Sequence, residues 1–167
     1  MTGTIATRLI GINLAVGTAT ASSVQGNTIT AISLNTSSGA ATTNGILCGI
    51  NITAGNVNVG NVTANTIGAS SGVDALKATP TTALGTVVGI NCSSTGTIVI
   101  QNNVIGGLTS SGTTAAVSGS INGINVSGVA TSINISNNTI GNATANNMRG
   151  GTLGLTTGSS LVVGINL

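Results

Sequence analysis

Apolar and polar residues alternate around one short motif, Gly-Ile-Asn-apolar, which occurs five times along the chain. Successive copies begin 38, 40, 34 and 41 residues apart. The residues on both sides of each asparagine are apolar, and this period-two alternation is typical of a β-strand with one buried face. The copies are Gly11–Leu14, Gly49–Ile52, Gly89–Cys92, Gly123–Val126 and Gly164–Leu167. We predict five strands that place isoleucine inside and asparagine outside.

Stacking of these strands would place identical residues directly above one another. The predicted asparagine column contains Asn13, Asn51, Asn91, Asn125 and Asn166. The predicted core column contains Ile12, Ile50, Ile90, Ile124 and Ile165. Another apolar residue lies four positions before each asparagine and breaks the alternation, so we predict a kink at the intervening glycine.

A second motif, also centred on asparagine, lies between consecutive copies of the first. Its four copies are Val24–Ile29, Val62–Ile67, Ile100–Ile105 and Ile135–Ile140. The apolar end residues are both predicted to point inward, and their odd separation requires a corner between them. We assign the corner to the central asparagine, because asparagine tolerates the left-handed conformation and its amide can both donate and accept hydrogen bonds.

This second motif predicts two further columns. The asparagine column contains Asn27, Asn65, Asn103 and Asn138. The core column contains Ile29, Ile67, Ile105 and Ile140. A strand, a corner, a strand and a loop of variable length, repeated in constant register, predict an all-β solenoid of about four coils of roughly 38 residues. We interpret residues 1–167 as one repeat segment, a fragment of a longer solenoid or filament.

Charged residues make up 2% of the chain, and aromatic residues and histidine are absent. The net charge of +2 comes from Arg8, Lys77 and Arg149 against Asp74, which is too sparse a set for a nucleic-acid surface. We expect Asp74 and Lys77 to form a solvated pair in a loop, and Arg149 to lie in a loop beside a packed Met148. No apolar run approaches the roughly 20 residues of a membrane-spanning helix, so we predict no membrane span.

The residues that most enzymes require are missing. Glycoside hydrolysis usually needs two carboxylates, and this sequence has one acidic residue. Without histidine there is no imidazole for a general base or a metal ligand. A calcium site normally uses several carboxylates. We therefore predict no catalytic, cofactor-binding or metal-binding residues.

The two cysteines, Cys48 and Cys92, could form a disulfide or remain as buried thiols. Cys48 lies three residues before its motif asparagine and Cys92 lies one residue after its own. In stacked coils this offset separates them by about 13 Å along the strand, whereas a disulfide needs Cα atoms within about 7 Å. The register favours buried thiols, with Cys92 in the column of Leu14, Ile52, Val126 and Leu167.

The repeats resemble the right-handed parallel β-helix repeats of very large secreted surface proteins of gliding bacteria. The segments that carry the resemblance are Ile135–Gly141, Asn142–Met148 and Gly123–Val126. The resemblance implies a right-handed parallel β-helix, export across an outer membrane, and a location outside the cell or on its surface. It also implies a role in a surface coat, filament or adhesin.

The leading functional hypothesis is a rigid structural rod built by coil stacking. We expect its partners to be further coils, either of the same chain or of stacked copies. The alternative is a surface-binding module, in which a face of the solenoid binds ice or carbohydrate. The threonines Thr28, Thr66 and Thr139 align in one column that Val104 interrupts, and the absence of aromatic residues leaves no platform for sugar stacking.

Overall fold

The computed structural model describes residues 9–37, 44–114, 119–152, 154 and 160–167, and its regular elements there are all β-strands. They form four parallel sheets. The first sheet contains β1 (Leu9–Ala15), β5 (Leu47–Ala54), β9 (Val87–Cys92), β13 (Ile121–Val126) and β17 (Val162–Asn166). The second contains β2 (Ser22–Val24), β6 (Val57–Val59), β10 (Thr97–Gln101) and β14 (Ser132–Ser136). The third contains β3 (Thr28–Ile29), β7 (Thr66–Gly68), β11 (Val104–Gly106) and β15 (Thr139–Ile140). The fourth contains β4 (Ile32–Thr36), β8 (Leu76–Pro80), β12 (Leu108–Ser110) and β16 (Met148–Gly150).

Each coil contributes one strand to each sheet. Coil 1 consists of β1–β4, coil 2 of β5–β8, coil 3 of β9–β12 and coil 4 of β13–β16, and β17 begins a fifth level. Every strand pairs in parallel with the corresponding strand of the next coil. The prediction of a β-solenoid of about four coils spaced about 38 residues apart is therefore confirmed.

The core is built from columns of aliphatic side chains that repeat from coil to coil. In the two middle coils, the isoleucines and valines that face the interior are fully buried. Several core residues of the outer coils, such as Ile12, Ile135 and Ile140, are only partly buried, because each has a neighbouring strand on one side only. Burial therefore comes from stacking, as expected for a solenoid whose single coil cannot cover its own apolar face.

The glycines of the first sheet face the isoleucines of the third sheet across this core. A Cβ atom on Gly49 would lie 2.5 Å from Cγ2 of Ile67, and one on Gly89 would lie 2.7 Å from Cγ2 of Ile105. The same arrangement joins Gly11 to Ile29 and Gly123 to Ile140. Glycine is thus required because an isoleucine fills the space that a side chain would occupy.

One inward position in the second sheet differs from the prediction. Val62 was expected to point into the core, but it is 81% exposed and Val59 takes its place, paired with Val24 and Ile100. The chain between Val59 and Asn65 is three residues longer than the corresponding segments of the other coils. The extra residues bulge outward, where Gln25 Oε1 accepts hydrogen bonds from two of their backbone N–H groups.

Candidate functional site

The first set of aligned polar residues runs along the first sheet, and we call it the sheet ladder. Its members are Asn13, Asn51, Asn91, Asn125 and Asn166. Each side-chain amide nitrogen donates to the Oδ1 atom of the asparagine in the preceding coil. The four Nδ2–Oδ1 distances are 2.7, 2.9, 2.7 and 2.7 Å. The ladder is continuous over all five strands.

The flanking isoleucines of these strands lie in the same register. Ile12, Ile50, Ile90, Ile124 and Ile165 are paired from coil to coil. The asparagines were expected to lie outside, but the inner members Asn51, Asn91 and Asn125 are only 3, 2 and 4% exposed. Solvent exposure is limited to the two ends of the ladder. The buried amides are stabilised by the hydrogen bonds between them, since an unpaired buried amide would be costly.

The second set lies at the corner between the second and third sheets, and we call it the corner ladder. It consists of Asn27, Asn65, Asn103 and Asn138. Each amide nitrogen donates to the Oδ1 atom of the asparagine in the following coil, at 2.9, 2.8 and 2.9 Å. The backbone N–H of the donor asparagine also donates to the same Oδ1 atom. The third-sheet isoleucines Ile29, Ile67, Ile105 and Ile140 stack in register beside this ladder.

Asn103 shows why this corner requires an amide. Its Oδ1 atom accepts from the backbone and side chain of Asn65, while its Nδ2 atom donates to Asn138 and to the carbonyl oxygens of Val59 and Gln101. Asn103 is fully buried. A carboxylate has no donor and a lysine has no acceptor, so neither could form both halves of the ladder.

In three of the four coils, the left-handed residue of the corner is not the central asparagine, as we had predicted, but the residue before it. Gly26, Asn102 and Asn137 have φ angles of 64°, 59° and 56°. None of the four ladder asparagines has a positive φ. The division is physically reasonable, because the preceding residue makes the turn while the ladder asparagine keeps its amide directed at the neighbouring coils.

The loop 69–75 of coil 2, which we call the strap, crosses coil 3 and contacts coil 4. The amide nitrogen of Asn147 donates to the carbonyl oxygen of Gly72 at 2.7 Å. Asn142 donates to the carbonyl oxygen of Ser70. A Cβ atom on Gly107 would lie 2.8 Å from Ala75, which shows how closely the strap packs on coil 3. The strap therefore links two coils that are not neighbours.

Three charged residues meet at the end of the strap. Asp74 is 3.1 Å from Lys77 and 3.1 Å from Arg149. Lys77 and Arg149 belong to β8 and β16, so the prediction that they lie in loops is wrong. Met148 packs against the core, as expected.

The carboxyl group of Asp74 has a pKa below its usual 3.8. Partial burial alone would raise this pKa, but the two cations and the nearby Thr109 hydroxyl outweigh the effect. Thr109 Oγ1 is close enough to interact with the carboxylate, although it forms no hydrogen bond of normal geometry.

The cysteines are buried thiols that form no disulfide, as the register indicated. Cys48 pairs with Val88, whereas Cys92 pairs with Ile52 and Val126. Burial raises the pKa of Cys92, against a smaller lowering by a backbone hydrogen bond from Ser94.

The predicted threonine column is present in register, as Thr28, Thr66, Val104 and Thr139. Only four residues long and broken by valine, it offers no regular two-dimensional array of hydroxyl groups. Across the described ranges, no three His, Cys, Asp or Glu side chains come together to bind a metal ion. The same ranges contain no helix suited to crossing a membrane.

Comparison with protein-family models, with curated proteins and with solved structures finds no match to this chain. Our interpretation of the two ladders, the core columns and the strap therefore rests only on the geometry of this chain.

Proposed function

We propose that this chain is a structural solenoid of a bacterial cell-surface filament or adhesin, which forms a rigid rod by coil stacking. The observation that carries the proposal is the continuity of both asparagine ladders. Polar side chains that would form a binding site in another protein are here hydrogen-bonded from coil to coil. These hydrogen bonds hold each coil to the next along the axis of the stack.

The dimensions of the stack support a role in a longer assembly. Parallel strands are about 4.8 Å apart, so four steps along the first sheet rise only about 19 Å. A stack of this height is too short to act as a rod, so a rod requires additional coils. The repeating register allows such growth without any new type of contact, because each coil presents the same columns to the next.

The composition also suits a surface exposed to proteases and to changing pH. The chain has only three lysine and arginine residues and no aromatic residue, which removes most cleavage sites for trypsin-like and chymotrypsin-like enzymes. Lys77 and Arg149 are held in ion pairs with Asp74. With so few ionisable groups, stability should change little across the range of pH met outside cells.

Immunogold electron microscopy of the producing cells would test the location. Antibodies raised against the purified chain should label intact, unpermeabilised cells, with gold particles on surface filaments or on the outer coat. Cells that lack the gene provide the control. Labelling that appears only after permeabilisation would refute the proposal.

A further inference from the structure

Two long loops lie on either side of a very short turn between the third and fourth sheets. The loop of coil 2 is the strap, residues 69–75, and the loop of coil 4 covers residues 141–147. Coil 3, which lies between them, makes the same connection with Gly107 alone. The two long loops therefore meet over coil 3, and coils 2 and 4 contact each other directly.

Three hydrogen bonds join the strap to coil 4, one near its start, one in its middle and one near its end. The residue of coil 4 donates in each, and the pairs are Asn142 to Ser70, Asn147 to Gly72 and Arg149 to Asp74. The donor–acceptor distances of the last two are 2.7 and 3.1 Å. The partners are 72, 75 and 75 residues apart, so each bond spans about two coils.

The short turn of coil 3 is enclosed by both loops. A Cβ atom on Gly106 would lie 2.6 Å from the carbonyl oxygen of Ala69 in the strap and 2.6 Å from Oδ1 of Asn147 in coil 4. The backbone N–H of Ala69 donates to the carbonyl oxygen of Gly106, and that of Leu108 donates to the carbonyl oxygen of Asn147. Thr109 is fully buried, although it lies in the outward-facing column of the fourth sheet. Coil 3 is thus held from both sides at this corner.

We propose that the strap and the loop 141–147 form a clasp that locks coils 2, 3 and 4 into one cooperative unit. In an ordinary solenoid each coil contacts only its neighbours, so stability is a sum of contacts between adjacent coils. Here coil 4 cannot separate from coil 3 without also breaking its hydrogen bonds to coil 2. An opening confined to coil 4 therefore costs more free energy than the contact with coil 3 alone would require. This inference goes beyond the proposed function and holds wherever the chain is located.

The ion pair of the clasp can be removed without rebuilding the strap. Asp74 has a φ angle of 57°, a left-handed conformation that asparagine also tolerates. D74N should therefore keep the backbone of the strap while it removes the charge that holds Arg149. The side chain of Arg149 is only 14% exposed, so this pair is less screened by solvent than an ordinary surface pair.

Native-state hydrogen–deuterium exchange of the full chain tests the clasp, with a substitution in coil 2 and the readout in coil 4. If coils were coupled only through their neighbours, an opening of coil 4 would not depend on Asp74, because coil 2 stays folded in that opening. With the clasp, D74N should speed exchange of the β16 amides by about tenfold, the effect of losing one hydrogen bond to a charged group. Unchanged exchange in β16 would overturn the proposal.

Thr53 provides the matched control in coil 2. Its exposed hydroxyl donates to the carbonyl oxygen of Leu14 in coil 1 at 2.8 Å. T53A therefore removes a hydrogen bond of coil 2 that has no connection with coil 4, and it should leave exchange of the β16 amides unchanged. Equal acceleration in T53A and D74N would show that any loss in coil 2 reaches coil 4 through the stack, and this result would overturn the clasp.

A double-mutant cycle with R149M shows whether the ion pair itself carries the coupling. Methionine keeps a long apolar side chain at this position but removes the charge, so the packing of the arginine stem is largely retained. Because D74N and R149M remove the same ion pair, the double variant should exchange in β16 no faster than R149M alone. Additive acceleration would mean that Asp74 and Arg149 act independently, and it would overturn the ion pair as the link between coils 2 and 4.

Discussion

Substitution of Gly89 by alanine would place a methyl group where the first and third sheets meet. The added Cβ atom would lie 2.5 Å from the carbonyl oxygen of Gly123 and 2.7 Å from Cγ2 of Ile105. Both contacts are too close, so the backbone of coil 4 or the isoleucine must move. Overpacking of this kind costs about 1–3 kcal/mol, while the smaller entropy of the unfolded alanine chain returns about 0.4–1 kcal/mol. We expect a net loss of about 1–2 kcal/mol.

Gly164 is the matched control, because it occupies the same motif position on β17. A Cβ atom there would have no neighbour within 4 Å. G164A should therefore be neutral or more stable than the unsubstituted chain by up to about 1 kcal/mol. Unfolding should be followed by far-ultraviolet circular dichroism, since a chain without tryptophan or tyrosine has no intrinsic fluorescence signal.

At about 2–4 °C per kcal/mol for a chain of this size, G89A should lower Tm by roughly 2–8 °C while G164A leaves it unchanged or higher. Equal stability of G89A and the unsubstituted chain would refute the argument that glycine is needed to admit the isoleucine. A loss of equal size in G164A would show that the cost arises from the local backbone and not from packing between sheets.

Three further predictions concern the polar and ionisable groups. N103A should destabilise the fold by roughly 2–5 kcal/mol, because it leaves buried partners unsatisfied, whereas N134A on an exposed position should cost less than about 0.5 kcal/mol in the same denaturant titration. Since the folded-state pKa of Asp74 lies below 3.8, its ion pairs should contribute stability above that pH and lose it as the pH falls through the folded-state value. D74N should therefore flatten the acid limb of the Tm–pH curve. Iodoacetamide should fail to alkylate Cys92 in the folded chain and react once denaturant is added, and rapid alkylation of the folded chain would contradict its buried position.

Repetition explains how much of the fold could be predicted from the sequence. A motif that returns five times with the same internal spacing specifies which residues stack, whatever the loops between them do. The registers Asn51 to Asn91 and Ile67 to Ile105 follow directly from aligning the motifs. To predict the hydrogen bonds of both ladders, one needs only the further fact that a side-chain amide can donate and accept at the same time.

Positions where one copy departs from the repeat could not be predicted in this way. The sequence offers Val59 and Val62 as equally apolar candidates for one core position, and only the bulge that Gln25 stabilises decides between them. We predicted the left-handed conformation for Asn103 because asparagine tolerates it, but the adjacent Asn102, which has the same side chain, adopts it instead. The two residues differ in burial. Asn103 is buried and its amide belongs to the corner ladder, whereas Asn102 is exposed and makes the turn.

Contacts between non-neighbouring coils were also beyond the repeat pattern. The ion pair between Asp74 and Arg149 joins residues 75 positions apart. Asp74 lies in a loop between the third and fourth sheets that is long in coils 2 and 4 and only one or two residues long in coils 1 and 3. No periodic signal encodes such a contact. The repeat register places Lys77 and Arg149 in one column, two coils apart, and the signs of the three charges allow the Asp74 carboxylate to neutralise both cations.

The near absence of charge follows from the same stacking that builds the rod. In a solenoid each side chain has a copy of its position about 4.8 Å above and below, so a charge repeated in every coil would repel itself along the axis. Lys77 and Arg149 show how the chain avoids this. They occupy one column of the fourth sheet but are separated by Thr109, and Asp74 contacts both. A neutral amide is stabilised by repetition, because its donor aligns with the acceptor of the same residue in the neighbouring coil. Stacking therefore selects against charge and for asparagine at the same time.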